Sequence, residues 1–125
     1  MMNSPEPQAD TQRALLALRD ETVARIDALR ALERRIIDAA DGANADDEHD
    51  PEGQTIAWDR AQTAALVAAG EQQLTEVDAA LTRLAAGWDG RCKSCGRPIP
   101  AERLQARPTA ARCVPCASGR SRRRG

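Results

Sequence analysis

The sequence predicts a mostly α fold: a long antiparallel coiled-coil hairpin followed by a small module closed around four cysteines. Three observations carry this. First, 25 of the 125 residues are Ala, against 19 Leu, Ile and Val together; Phe and Tyr are absent, and Trp58 and Trp88 are the only aromatics. So few large apolar side chains cannot fill a thick core, and the scarcity of β-branched and aromatic residues argues against sandwiches, barrels and doubly wound sheets. Second, two stretches of about 30 residues each show one narrow apolar stripe at helical spacing. Third, the four cysteines fall in two close pairs near the C-terminal end.

Residues 1–9 contain two prolines and no periodicity, and read as a disordered leader. Asp10 or Thr11 supplies a helix cap, and from there to about Ala40 neither Pro nor Gly interrupts the chain. Leu15, Leu18, Thr22, Ile26, Leu29, Leu32, Ile36 and Ala40 recur at steps of three and four, which makes one seam. Residues 41–53, DGANADDEHDPEG, hold six acids, two Gly, one Pro and no Lys or Arg, and read as an acidic turn. A second helix is expected from about Thr55 to Ala86, its seam formed by Ala57, Ala61, Ala64, Val67, Gly70, Leu74, Val77, Leu81 and Leu84. Arms of matching length joined by a turn fold back on each other, so residues 10–88 make the hairpin and each seam finds its partner within a monomer. A hairpin with so thin a seam is marginal by itself. The following segment, 89–118, is placed to anchor its open end, and residues 119–125 read as a disordered basic tail.

Charge divides the chain in the same way. Residues 1–90 hold 8 Arg against 18 acids, whereas residues 91–125 hold 10 Lys and Arg against Glu102 alone. Two surfaces of opposite sign imply two kinds of partner. No apolar run approaches the ~20 residues of a membrane span, and the first residues lack the basic start and apolar stretch of a signal peptide. The expected compartment is the cytoplasm, where thiols stay reduced and clustered cysteines bind metal rather than form disulfides.

Cys92-x2-Cys95 and Cys113-x2-Cys116, separated by 17 residues, match a four-thiolate zinc pattern. Each CxxC turn brings two thiolates onto one ion, and Gly96 stands where a positive φ is needed. Four sulfurs leave no open coordination position, so the expected cofactor is one structural zinc. Its binding free energy, on the order of 10 kcal/mol, folds a segment with almost no core of its own.

The residues around these cysteines, Cys92-Lys-Ser-Cys95-Gly96, Ile99, Arg103-Leu104, Ala106, Pro108 and Cys113-Val-Pro-Cys116, resemble the zinc finger of the DksA/TraR family of bacterial transcription regulators. The resemblance is close over residues 92–116 and extends through the hairpin to about 10–116. It implies a non-enzymatic transcription regulator that binds RNA polymerase directly. The coiled coil would enter the secondary channel of the polymerase and modulate initiation with its acidic tip. The family tip pattern Asp-x-x-Asp-x-Ala falls on Asp47, Asp50 and Glu52, the last in place of Ala. Longer members continue into a further helix, whereas nine residues follow Cys116 here. Those longer members respond to the alarmone ppGpp; a regulatory nucleotide is thus a second candidate partner, to which no residue of this chain is assigned.

The bare chemistry of the tip agrees. Carboxylates on the end of a stiff rod reach sites closed to a globular domain, and they seek protein or metal rather than a phosphate backbone. His49 among them reads as an exposed side chain, and Trp58 either packs at the neck of the tip or presents a contact surface. A hydrolytic metal site of Asp46, Asp47, His49, Asp50 and Glu52 is disfavoured, because a hairpin tip offers no pocket. The alternative function is a zinc-ribbon nucleic-acid binder acting through the basic finger and the Arg120–Arg124 tail. Sequence-specific DNA binding is not expected, because no recognition helix rich in Arg, Asn and Gln is present.

Overall fold

A computed structural model describes residues 5–42 and 51–119, with side chains over 8–41 and 53–119. Its elements are α1 (Pro5–Gly42), α2 (Pro51–Ala85), α3 (Ala101–Ala106) and α4 (Val114–Ala117), and there is no β-strand among the described residues. Helices α1 and α2, of 38 and 35 residues, pack together as a hairpin. Both start earlier than the sequence reading expects. Residues 5–9, read as leader, are helical, and α2 begins at Pro51 rather than Thr55. Proline sits at the first position of each helix, where its missing N–H costs nothing and its fixed φ already suits the helix.

The chain divides into two compact units, residues 1–19 with 75–125, and residues 20–74. In the first, Leu15 of α1 packs with Val77 and Ala80 of α2, and Leu18, Leu81 and Leu84 close around them. An exposed ion pair, Arg19 Nε to Asp78 Oδ1 at 3.1 Å, borders this cluster; such pairs contribute at most about 1 kcal/mol.

In the second unit the buried stripe is Thr22 and Ile26 from α1 with Thr63, Val67 and Gly70 from α2. Gln73 Nε2 donates to the Thr22 hydroxyl at 3.1 Å, which satisfies a polar group at a seam position. Arg30 pairs with Glu71 on the flank. The pairings 22 with 73 and 30 with 71 join residues distant in sequence, as an antiparallel arrangement requires.

The expected seam of α2 is wrong at its first three positions. Ala57, Ala61 and Ala64 are exposed, and the inward stripe runs through Ile56, Asp59 and Thr63 into Val67. Stepping back from Val67 by four, four and three residues gives that register. Alanine is compatible with either face of a helix and does not mark the inward one. On α1, Leu32 is likewise 37% exposed, off the seam to which it is assigned by spacing.

Helix α2 ends in a Schellman motif. Gly87 adopts φ 98°, the Trp88 amide donates to Arg83 O at 2.9 Å, and the Gly87 amide donates to Leu84 O at 3.0 Å. The side-chain contact that accompanies this motif is here a cation–π pair, with the Arg83 guanidinium 5.5 Å from the Trp88 ring centroid. The turn aims the chain into the cysteine module.

Candidate functional site

The cysteine module is built from two short loops closed on each other. Residue 91 bridges residue 98 in antiparallel fashion, and the Ile99 amide donates to Gly90 O at 2.8 Å. Inside this bridge the Cys92 amide donates to Arg97 O at 2.8 Å and the Gly96 amide to Cys92 O at 2.9 Å. Gly96 has φ 78°, so the positive φ expected directly after the second cysteine is present. The second pair is carried by α4, with Cys113 directly before its first residue and Cys116 inside it. The Lys93 amide donates to Ala111 O at 2.9 Å and ties the two loops.

These connections gather the four sulfurs of Cys92, Cys95, Cys113 and Cys116 within 4.8 Å of one another, and no other such metal-ligating cluster occurs among the described residues. No disulfide joins any of the four. The Cys95 and Cys113 sulfurs are 3.7 Å apart, far beyond the ~2.05 Å of a disulfide. With Zn–S bonds of about 2.3 Å, the edge of a tetrahedron of sulfurs is about 3.8 Å, so this separation fits one zinc ion.

Backbone donors support the negative charge such a site needs. The Ser94 amide lies 3.4 Å from Cys92 Sγ. Burial pushes the Cys92 thiol up. Hydrogen bonds from the backbone of Cys113, Cys95 and Ser94 and from the Cys95 thiol outweigh it and bring the thiol down to about 6. Cys92 therefore favours its thiolate before any metal charge is added.

The apolar core and the donor set overlap. Cys92, Ile99 and Cys116 are the buried cluster, with Trp88, Leu104 and Cys113 packed against it. Trp88 Nε1 donates to Arg91 O at 2.9 Å. Arg83 joins this group from α2: its Nη2 donates to Thr109 O at 3.2 Å, and its Nε is buried with no partner. Burial lowers its pKa from the ordinary arginine value. Neither Arg83 nor Trp88 was singled out as part of this module by sequence reasoning; the detectable signal is Gly87 directly after the helix.

Asp46, Asp47, His49 and Asp50, and the side chain of Glu52, lie outside the described residues. Trp58 is 64% exposed, which favours the contact-surface reading over packing at a neck. Among the described residues, no helix is long and apolar enough to cross a membrane.

Residues 87–122 match the family model described as the prokaryotic dksA/traR C4-type zinc finger. Among solved structures, the transcription factor DksA2 from Pseudomonas aeruginosa is similar, with a TM-score of 0.77 and 27% sequence identity over 95% of this chain and 86% of that one. No curated protein matches in the sequence comparison. A C4 finger of the dksA/traR type following a helical hairpin, in a fold similar to that of DksA2, supports a transcription factor of the DksA/TraR type.

Proposed function

We propose that the protein is a transcription regulator that binds RNA polymerase through its secondary channel and modulates initiation with its acidic coiled-coil tip. The observation that carries this reading is the likeness to the transcription factor DksA2 across hairpin and finger together. In this reading Cys92, Cys95, Cys113 and Cys116 hold one structural zinc that fixes the finger, and Asp47, Asp50 and Glu52 are the effector carboxylates. The protein acts as a cytoplasmic monomer and is not an enzyme; the reaction it alters belongs to the polymerase.

The zinc-bound protein should co-purify with bacterial RNA polymerase and should compete with another occupant of the secondary channel. Sedimentation should give the mass of one chain. Absence of polymerase binding by correctly folded, zinc-loaded protein overturns the reading.

A further inference from the structure

The finger has a second chemical character besides its metal site. Residues 91–119 carry Arg91, Lys93, Arg97, Arg103, Arg107 and Arg112 against Glu102 alone. Three of these side chains belong to segments that touch. Arg112 Nε donates to Ser94 Oγ at 2.9 Å, Arg103 Nε donates to Arg112 O at 2.8 Å, and the Lys93 amide donates to Ala111 O. Each guanidinium thus spends its Nε–H on the finger itself, which fixes its plane while its remaining donors face away from that bond. Lys93 and Arg112 are exposed and Arg103 is half-buried. None of the three is in an ion pair among the described residues.

We propose that Lys93, Arg103 and Arg112 form a phosphate-contacting face that binds the backbone of duplex DNA without sequence preference. Arginines held in place by their own hydrogen bonds lose little freedom on meeting a phosphate. An acidic protein surface fits less well. Protein interfaces are centred on aromatic or large apolar anchors, and the only exposed large hydrophobic residue of the finger is Val114. Single strands fit less well for a related reason, since they are held by stacking on exposed aromatic rings, and Trp88 is packed against Ile99 and the cysteines. Base reading is absent from the proposal, because α3 has six residues and α4 has four. This face acts separately from the hairpin tip, so the finger can hold DNA whether or not the tip engages the polymerase.

The test uses the full-length, zinc-loaded chain and a labelled 20-base-pair duplex, with binding followed by fluorescence anisotropy from 50 to 200 mM salt. Three phosphate contacts give a salt slope of about −2.7, so this face should supply roughly a 40-fold loss of affinity over that range. The Lys93→Gln, Arg103→Gln, Arg112→Gln variant should lower the magnitude of the slope by that amount, while residues 120–124 contribute equally to parent and variant. Arg103 and Arg112 also brace the finger, so zinc content is measured alongside. Lys93→Gln, whose side chain braces nothing in the structure, should by itself reduce the slope by about 0.9. No duplex binding at 50 mM salt, an unchanged slope in both variants, or equal binding of polyglutamate would each overturn the proposal. None of these outcomes bears on polymerase binding, which is measured without DNA.

Discussion

Gly70 forms a notch in α2 that Ile26 of α1 fills: a Cβ on Gly70 would stand 2.9 Å from Ile26 Cγ1. Both residues are buried. Ile26 is β-branched and its χ1 is stiff, so it cannot swing aside cheaply. In an exposed helix Gly→Ala would gain about 1 kcal/mol. Here overpacking of about 1–3 kcal/mol opposes that gain. Gly70→Ala should therefore lower stability by about 1 kcal/mol in urea unfolding. In an Ile26→Ala background the same change should become stabilising by up to about 1 kcal/mol. Additive effects of the two substitutions would show that the notch is not the cause.

Metal analysis of protein purified without added zinc should give close to one equivalent per chain. Cys113→Ser should abolish it and unfold the finger, while the far-ultraviolet helix signal of α1 and α2 stays largely in place. Loss of the hairpin signal would mean that the two parts do not fold separately.

Acid should release the metal and loosen the finger. The Cys92 thiol is held down from 9.0 to about 6 in the folded chain, so the stability it contributes is fully present above about pH 9 and is lost as pH falls through about 6. Zinc ligation moves the balance in the same direction, because protons compete with the metal for thiolates. Zinc release to a colorimetric chelator should begin below about pH 6, together with a change in Trp88 fluorescence read in a Trp58→Phe background. Release that is flat from pH 8 to pH 5 would contradict this.

Arg83 contributes both contact and charge. Its hydrogen bond to Thr109 O and its place over Trp88 favour it, whereas its buried, unpartnered Nε opposes it. Arg83→Ala should cost about 1–2 kcal/mol in thermal unfolding of the finger. Arg83→Met, which keeps the stem over the ring and removes the desolvated charge, should cost less than half as much. Equal losses would assign the whole effect to the charge.

At the tip, Asp47→Asn with Asp50→Asn should leave folding within about 0.5 kcal/mol of the parent. The double variant should still bind polymerase and should lose its effect in a purified transcription assay. Carboxamides keep the size and remove the charge. A variant that regulates normally would reduce the tip to a solvated loop, and one that no longer binds would make it an affinity anchor.

Legibility in the sequence followed physical constraint. The four cysteines and Gly96 were readable because metal geometry dictates their spacing and one backbone angle. Leu15, Thr22, Ile26, Val67, Gly70 and Val77 were readable because each sits where a helical period returns to the buried face. Ala57, Ala61 and Ala64 misled because a methyl group is equally at home in a seam or in water, and the inward face at that level is marked instead by Thr63. Arg83 was not readable at all. An arginine on a helix looks solvated until the Gly87 turn brings Trp88 and the 109 loop against it.

The overlap of core and metal site has a consequence for supply. Two of the three residues buried in the finger cluster, Cys92 and Cys116, are also sulfur donors. Apolar packing therefore cannot be completed first and metal added afterwards. A newly made chain is committed to a finished finger only when an ion reaches it, so the pool of working protein is set by available zinc as much as by the rate of synthesis. Under chelation in growing cells, the zinc-free chain should accumulate protease sensitivity between about residues 89 and 118 while total synthesis stays constant.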